Sequence, residues 1–131
     1  MIGLEDLESY LIRSDLDYEE IADGIWAVHP DGGEEAGPLP AIVVSLAPPL
    51  VVLRSDLQQA PEDEAEQRRL YQRLLELNAT EVVHGAFGLD SGQVLLSDTL
   101  ELADLDFSEF QASLESLALA LSSYRKNLAK D

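Results

Sequence analysis

The sequence predicts a single α+β domain over residues 1–131, in which an antiparallel sheet packs with three helices. Apolar residues recur at helical spacing near both ends and in the middle of the chain, and strand-like apolar runs lie between them. These runs are joined by turns too short to hold a crossover helix, so neighbouring strands must be antiparallel. The predicted order of elements is α-β-β-β-α-β-β-α, with no internal repeat.

The first helix is predicted from Leu4, Leu7 and Leu11, which follow i, i+3, i+7 spacing. The helical pattern fades near residues 14–15. An apolar and aromatic run at 25–29 follows a turn signal and predicts the first strand.

Two further strands are predicted on either side of a short turn that contains two prolines. Residues 42–46 and 50–53 are rich in β-branched side chains, and only three residues separate them, so they form neighbouring antiparallel strands. The preceding residues 30–40 hold glycines, prolines and the pair Glu34 and Glu35, and are predicted to be a loop.

The second helix and a second hairpin follow. Pro61 can occupy the first helical position, where its missing N–H costs nothing. Acidic residues follow it and arginines come later, an order that complements the helix dipole. The run LLELNA at 74–79 ends this helix, and Asn78 is predicted to terminate it in the left-handed conformation. Residues 82–89 and 93–100 are predicted to be the strands of the hairpin.

The last helix has the most regular pattern. Asp106 and Glu109 fit a capping box at its start. Leu119 lies about 200° around the helix from Leu117, on the face that should contact solvent, and an alanine flanks it on each side. We therefore predict that Leu119 belongs to a second covered surface, a dimer interface. The buried stripe is predicted to comprise Phe107, Phe110, Leu114, Leu117, Leu121, Tyr124 and Leu128.

Charge and composition exclude several functions. The net charge is −18, from 26 acidic and 8 basic residues, so direct binding to nucleic acid or to a membrane surface is not expected. The chain has no cysteine, and His29 and His84 are its two histidines, each alone within its strand region. No arrangement typical of catalysis, metal binding or cofactor binding is present, so we predict a non-enzymatic protein without a cofactor, located in the cytoplasm.

The run LLELNA at 74–79, followed by GAFGLDSGQVLL at 85–96 and a closing amphipathic helix, resembles the YbjN-like proteins. These are similar in turn to the small acidic chaperones of bacterial type III secretion. The matched positions define the fold, since Phe87 fills the core and Gly92 serves the turn. The resemblance implies a homodimer without enzymatic activity that binds another protein.

Chaperones of this fold hold an extended client segment against apolar patches on the sheet and first helix, and the corresponding residues here are Leu4, Leu7, Leu11, Trp26 and Val28. The alternative for the leucines is that they seal the core.

A second function also stays open, that of an acidic regulatory protein which mimics a polyanion and occupies a basic, nucleic-acid-binding partner. Salt separates the two functions, because charge mimicry loses affinity at high ionic strength and an apolar groove does not.

Overall fold

Three helices pack on a six-stranded antiparallel sheet in the computed structural model, which describes residues 3–31 and 39–128. The strands lie in the order β1-β2-β3-β4-β6-β5, so β1 and β5 form the two edges of the sheet. This confirms the α+β class. The elements are α1 (Leu4–Ser14), β1 (Asp17–Ala22), β2 (Ile25–His29), β3 (Ile42–Ala47), β4 (Leu50–Gln59), α2 (Glu64–Thr80), β5 (Ala86–Asp90), β6 (Gln93–Glu101) and α3 (Phe107–Asn127).

The edge strand β1 is missing from the predicted order of elements. Its sequence, DYEEIA, is half acidic, and five of its six residues are exposed in the structure. The run therefore shows no apolar alternation from which a strand could be recognised. It forms because β2 offers a free edge, with Tyr18 paired to Val28 and Glu19 paired to Ala27.

The structure also corrects the boundaries of α2. The helix begins at Glu64 rather than at Pro61, because the Asp63 carboxylate accepts a hydrogen bond from the Glu66 backbone N–H at 3.0 Å and caps the helix. At the other end, Asn78 does not terminate the helix, which continues to Thr80. Its side chain has a different role, described below.

The two remaining differences concern strand lengths. β4 extends to Gln59, well beyond the predicted end at residue 53, because it pairs with β6 along nearly its whole length. β5 begins only at Ala86, and residues 82–85 form an irregular connection. This connection is held by Ser116 of α3, whose Oγ lies 2.8 Å from the His84 backbone nitrogen.

The core lies between one face of the sheet and the three helices, with α3 at its centre. The Asp106 carboxylate accepts a hydrogen bond from the Glu109 backbone N–H at 2.9 Å, which confirms the predicted cap. α1 packs on α3 through the ring of Tyr10, whose centroid lies 5.9 Å from that of Phe107 and 5.8 Å from that of Phe110. The fully buried side chains include Trp26, Ile42, Val44, Leu53, Leu96, Phe110, Leu114, Leu117 and Leu121.

The predicted loop at 30–40 falls largely outside the described residues, which exclude 32–38 and with them Glu34 and Glu35. Within the described stretches, no helix is long and apolar enough to cross a membrane.

Candidate functional site

The predicted partner-binding residues are mostly core residues of the protomer. Leu7, Leu11 and Val28 are completely buried, and Trp26 is 1% exposed. Leu4 is the accessible member of the set, at 38% exposure, and its Cδ1 lies near Gly24 in the turn between β1 and β2. The packing thus favours the alternative in which Leu7 and Leu11 seal the core. A partner-binding role for the set stays a prediction, and in this conformation only Leu4 is accessible to a partner.

Leu119 is exposed, as the helical spacing predicts. Its side chain is 67% accessible on α3, while the neighbouring Ala120 is completely buried. A leucine with this exposure is available for an intermolecular contact, so its place in a dimer interface stays a prediction.

An apolar patch that was not predicted from the sequence lies at the β5 edge of the sheet. A groove of about 170 Å³ opens between α2 and β5. Two leucines beside it are exposed, Leu75 at 67% and Leu89 at 51%. We call these two leucines and the groove the α2–β5 patch. Its other lining residues are Tyr71, Leu74, Asn78, Phe87, Gly88 and Val94.

Asn78 holds β5 against α2 and so positions this patch. Its Nδ2 donates to the Phe87 carbonyl oxygen at 3.2 Å, and its Oδ1 accepts from the Phe87 backbone N–H at 2.7 Å. Both backbone groups of Phe87 therefore point away from β6 and are satisfied by one side chain. Another strand therefore cannot pair with β5 at Phe87. The accessible parts of the patch are its two leucines.

The opposite edge of the sheet carries exposed apolar side chains beside the acidic residues of β1. Ile21 lies in the bulge of β1, and Ile12 projects from α1, which leads directly into this strand. Both side chains are more than half exposed. Together with Leu4 they form what we call the α1–β1 edge.

The face of the sheet turned away from the helices holds a paired arginine. Arg54 Nε lies 2.7 Å from Asp56 Oδ1, and its Nη1 lies 3.5 Å from Asp90 Oδ2. The hydrogen bond to Asp56 is the main cause that raises the pKa of Arg54. The arginine charge is thus matched by two carboxylates, and this face offers no surplus positive charge at Arg54.

The two histidines do not assemble a reaction centre. His29 Nε2 lies 3.9 Å from Glu19 Oε1, with both side chains exposed. His84 is bonded to Ser116 through its backbone N–H and C=O. Among the residues that the structure describes, no three His, Asp or Glu side chains are grouped so that they could hold a metal ion.

No surface role was predicted for Leu75 or Leu89. For Leu75 the signal was present, because it lies outside the buried stripe of its helix, as Leu119 does. Leu75 lies one position beyond Leu74 in the buried stripe of α2, about 100° around the helix. An apolar residue at that angle should contact solvent, as Leu119 does. Leu89 lies on the same face of β5 as the buried Phe87, so its spacing predicts burial. It is exposed because α2 does not cover it, which the spacing cannot show.

Comparison with known proteins places this architecture in a family. The chain matches the family CesT_Tir_1 over residues 3–130. No protein of curated function matches the sequence.

Solved structures with a similar fold include the following three. YbjN from E. coli superposes with a TM-score of 0.65 at 14% identity, over 95% of this chain and 93% of that chain. The ExsC–ExsE complex gives a TM-score of 0.64 at 17% identity, over 98% of this chain and 97% of that chain. The HopA1–SchA chaperone–effector complex gives 0.58 at 17% identity, over 94% and 90%.

Identities this low show a common fold, and the family assignment comes from the sequence match, which covers nearly the whole chain. The protein therefore belongs to the CesT_Tir_1 family and shares its fold with YbjN.

Proposed function

We propose that this protein is a non-enzymatic, chaperone-like module that acts as a cytoplasmic homodimer and holds a segment of a partner protein. The family match supports a protein-binding role, as does the similarity to the HopA1–SchA chaperone–effector complex. The structural observation that carries the proposal is the presence of exposed apolar side chains at both edges of one sheet. One edge can contact a second copy while the other contacts the partner.

The homodimer forms through the α2–β5 patch. A twofold interface brings the same surface of each protomer together, so an apolar patch can be covered by its own copy. Burying one leucine contributes roughly 1.5–3 kcal/mol, and Leu75 and Leu89 are each counted twice in a symmetric dimer. The predicted contribution of Leu119 remains an alternative interface on α3.

The partner segment binds at the α1–β1 edge. β1 is an edge strand, to which an extended segment can add as a further strand. Ile12, Ile21 and Leu4 are apolar contacts for its side chains, and apolar burial contributes more than an exposed charge pair, which rarely exceeds about 1 kcal/mol.

Sedimentation at micromolar concentration tests the dimer. We expect the parent to be a dimer and Leu75→Glu to be a monomer, while Ala65→Glu, an exposed control near the start of the same helix with the same charge change, stays dimeric. A monomeric parent would disprove the homodimer. Dissociation by Leu119→Glu but not by Leu75→Glu would move the interface to α3.

Pull-down from the source cell extract identifies the partner, and variants then test the site. Ile12→Glu and Ile21→Glu should each weaken partner binding at least tenfold, whereas Ala65→Glu on the exposed side of α2 should not. Binding should survive 0.5 M salt. Loss of binding at that salt and upon neutralisation of Glu34 and Glu35, with no effect of the isoleucine variants, would instead support the polyanion mimic.

A further inference from the structure

A second groove lies away from both sheet edges, between the first half of α2, the end of α3 and the end of β4. Its volume is about 1010 Å³, at the upper limit of the roughly 300–1,000 Å³ of ligand pockets. Leu57, Leu70 and Leu128 supply apolar lining, and three arginines lie beside them. We call this the arginine groove, after Arg69, Arg73 and Arg125.

This groove concentrates positive charge in a very acidic chain. The sequence has 8 basic residues against 26 acidic ones, and three of the 8 line this groove. Elsewhere, Arg13 lies 4.0 Å from the Phe107 ring centroid and Arg54 pairs with two aspartates. Among the described residues that line the groove, Glu66 is the single carboxylate, and Glu76, outside this lining, lies 3.5 Å from Arg73. At physiological salt the Debye length is about 8 Å, so the charges that act most on a bound ligand are the three arginines together with Glu66 and Glu76.

The guanidinium of Arg73 is oriented before any ligand binds. Its Nη2 donates to Asn127 Oδ1 of α3 at 3.1 Å, and its Nη1 lies 3.5 Å from Glu76 Oε1. Arg69 lies one helical turn earlier on the same face of α2, where two arginines four residues apart are neighbours. An arginine guanidinium can donate two N–H groups to one carboxylate in bidentate geometry, and Arg73 can do so in place of its 3.5 Å contact with Glu76.

We propose that the arginine groove binds an extended acidic segment of a partner protein, with carboxylates at Arg69 and Arg73 and an apolar side chain against Leu70. The inference rests on the proposed function only in that its ligand is a stretch of protein. A nucleic-acid backbone fits less well, because its affinity depends on many basic contacts along the strand and this groove offers three arginines. The apolar lining likewise favours a peptide that carries hydrophobic side chains.

The test uses the full chain and synthetic peptides at 150 mM salt. The probe is a fluorescein-labelled peptide of about ten residues that alternates glutamate with leucine, measured by fluorescence anisotropy. Its control is the same peptide with glutamine in place of glutamate. Arg69→Glu is compared with Arg68→Glu, which makes the same charge change at an exposed neighbour that does not line the groove.

We expect saturable binding of the glutamate peptide, a loss of at least tenfold with Arg69→Glu, less than twofold loss with Arg68→Glu, and weak binding of the glutamine peptide. Circular dichroism establishes that both variants fold. If Arg69→Glu does not fold, Arg69→Gln and Arg68→Gln replace the pair.

Equal losses in the two arginine variants would reduce the effect to net charge and overturn the proposal. Equal binding of the two peptides would overturn it as well. Competition by inorganic phosphate or by a single-stranded oligonucleotide, but not by the unlabelled peptide, would assign the groove to phosphate groups. Dissociation of the dimer by Arg69→Glu without peptide binding would make the groove a self-interface. None of these outcomes depends on the α1–β1 edge, whose isoleucine variants test the proposed function separately.

Discussion

The replacement of Asn78 by alanine tests how the edge of the sheet is held. Asn78 makes two hydrogen bonds to the backbone of Phe87, at 2.7 and 3.2 Å, and alanine removes both. The N–H and C=O of Phe87 then lose their partners beside the exposed leucines of the α2–β5 patch. β5 should separate more readily from α2.

The expected cost follows from these two bonds and from the helix. Each bond contributes about 0.5–1.5 kcal/mol to the free energy of unfolding. Alanine regains up to about 0.7 kcal/mol, because it is the better helix former at an interior helical position. The two bonds together contribute about 1–3 kcal/mol, so the net loss for Asn78→Ala lies between about 0.3 and 3 kcal/mol and is centred on about 1–2 kcal/mol. Gln72→Ala, which removes an exposed amide from the same helix, should change stability by less than about 0.5 kcal/mol.

Urea unfolding measures the difference through the fluorescence of Trp26, the single tryptophan, which is 1% exposed. With a slope of about 2 kcal/mol/M, the midpoint should fall by about 0.5–1 M. Protein concentration must be the same for all variants, because the midpoint of a dimer depends on it. The Phe87 amide should also exchange its hydrogen faster. If the Asn78→Ala protein has the parent's midpoint and the parent's Phe87 exchange rate, the two bonds from Asn78 do not hold β5 against α2.

Three further changes probe the fold. Gly85→Ala should cost about 1–3 kcal/mol in urea unfolding, because φ is +89° and a Cβ would lie 2.6 Å from the Ser97 carbonyl oxygen; parental stability would contradict this. Phe110→Ala should cost about 3–5 kcal/mol, since the ring is completely buried, and a loss below about 1 kcal/mol would show that the core collapses around the site. Burial raises the pKa of Tyr124, so above about pH 10 the unfolded chain releases this proton first and stability falls as pH rises. Tyr124→Phe should flatten that fall in pH-dependent unfolding, and an unchanged slope would assign it to other groups.

The candidate surfaces could be predicted only in part. The three leucines of α1 were recognised as one apolar stripe, but spacing cannot tell whether such a stripe faces the core or a partner. In the structure Leu7 and Leu11 lie against the core, and Leu4 reaches the surface because α1 begins there. Leu119 was recognised because it departs from a long, regular stripe. Leu75 departs from its shorter stripe in the same way, and the LLELNA run conceals it among other leucines.

The sequence by itself determined the α+β class, the N-cap of α3 and the family, because periodicity and capping are local properties and the family match is a property of the sequence. Net charge adds over the whole chain, and the absence of nucleic-acid and membrane binding that it indicates stays a prediction. The tertiary structure alone decided that an acidic run becomes the edge strand β1 and that Asn78 bonds to Phe87. It also decided that Arg69 and Arg73 of α2 meet Arg125 of α3 in one groove. Each of these depends on which surfaces meet when elements distant in sequence pack together, and no local pattern records that choice.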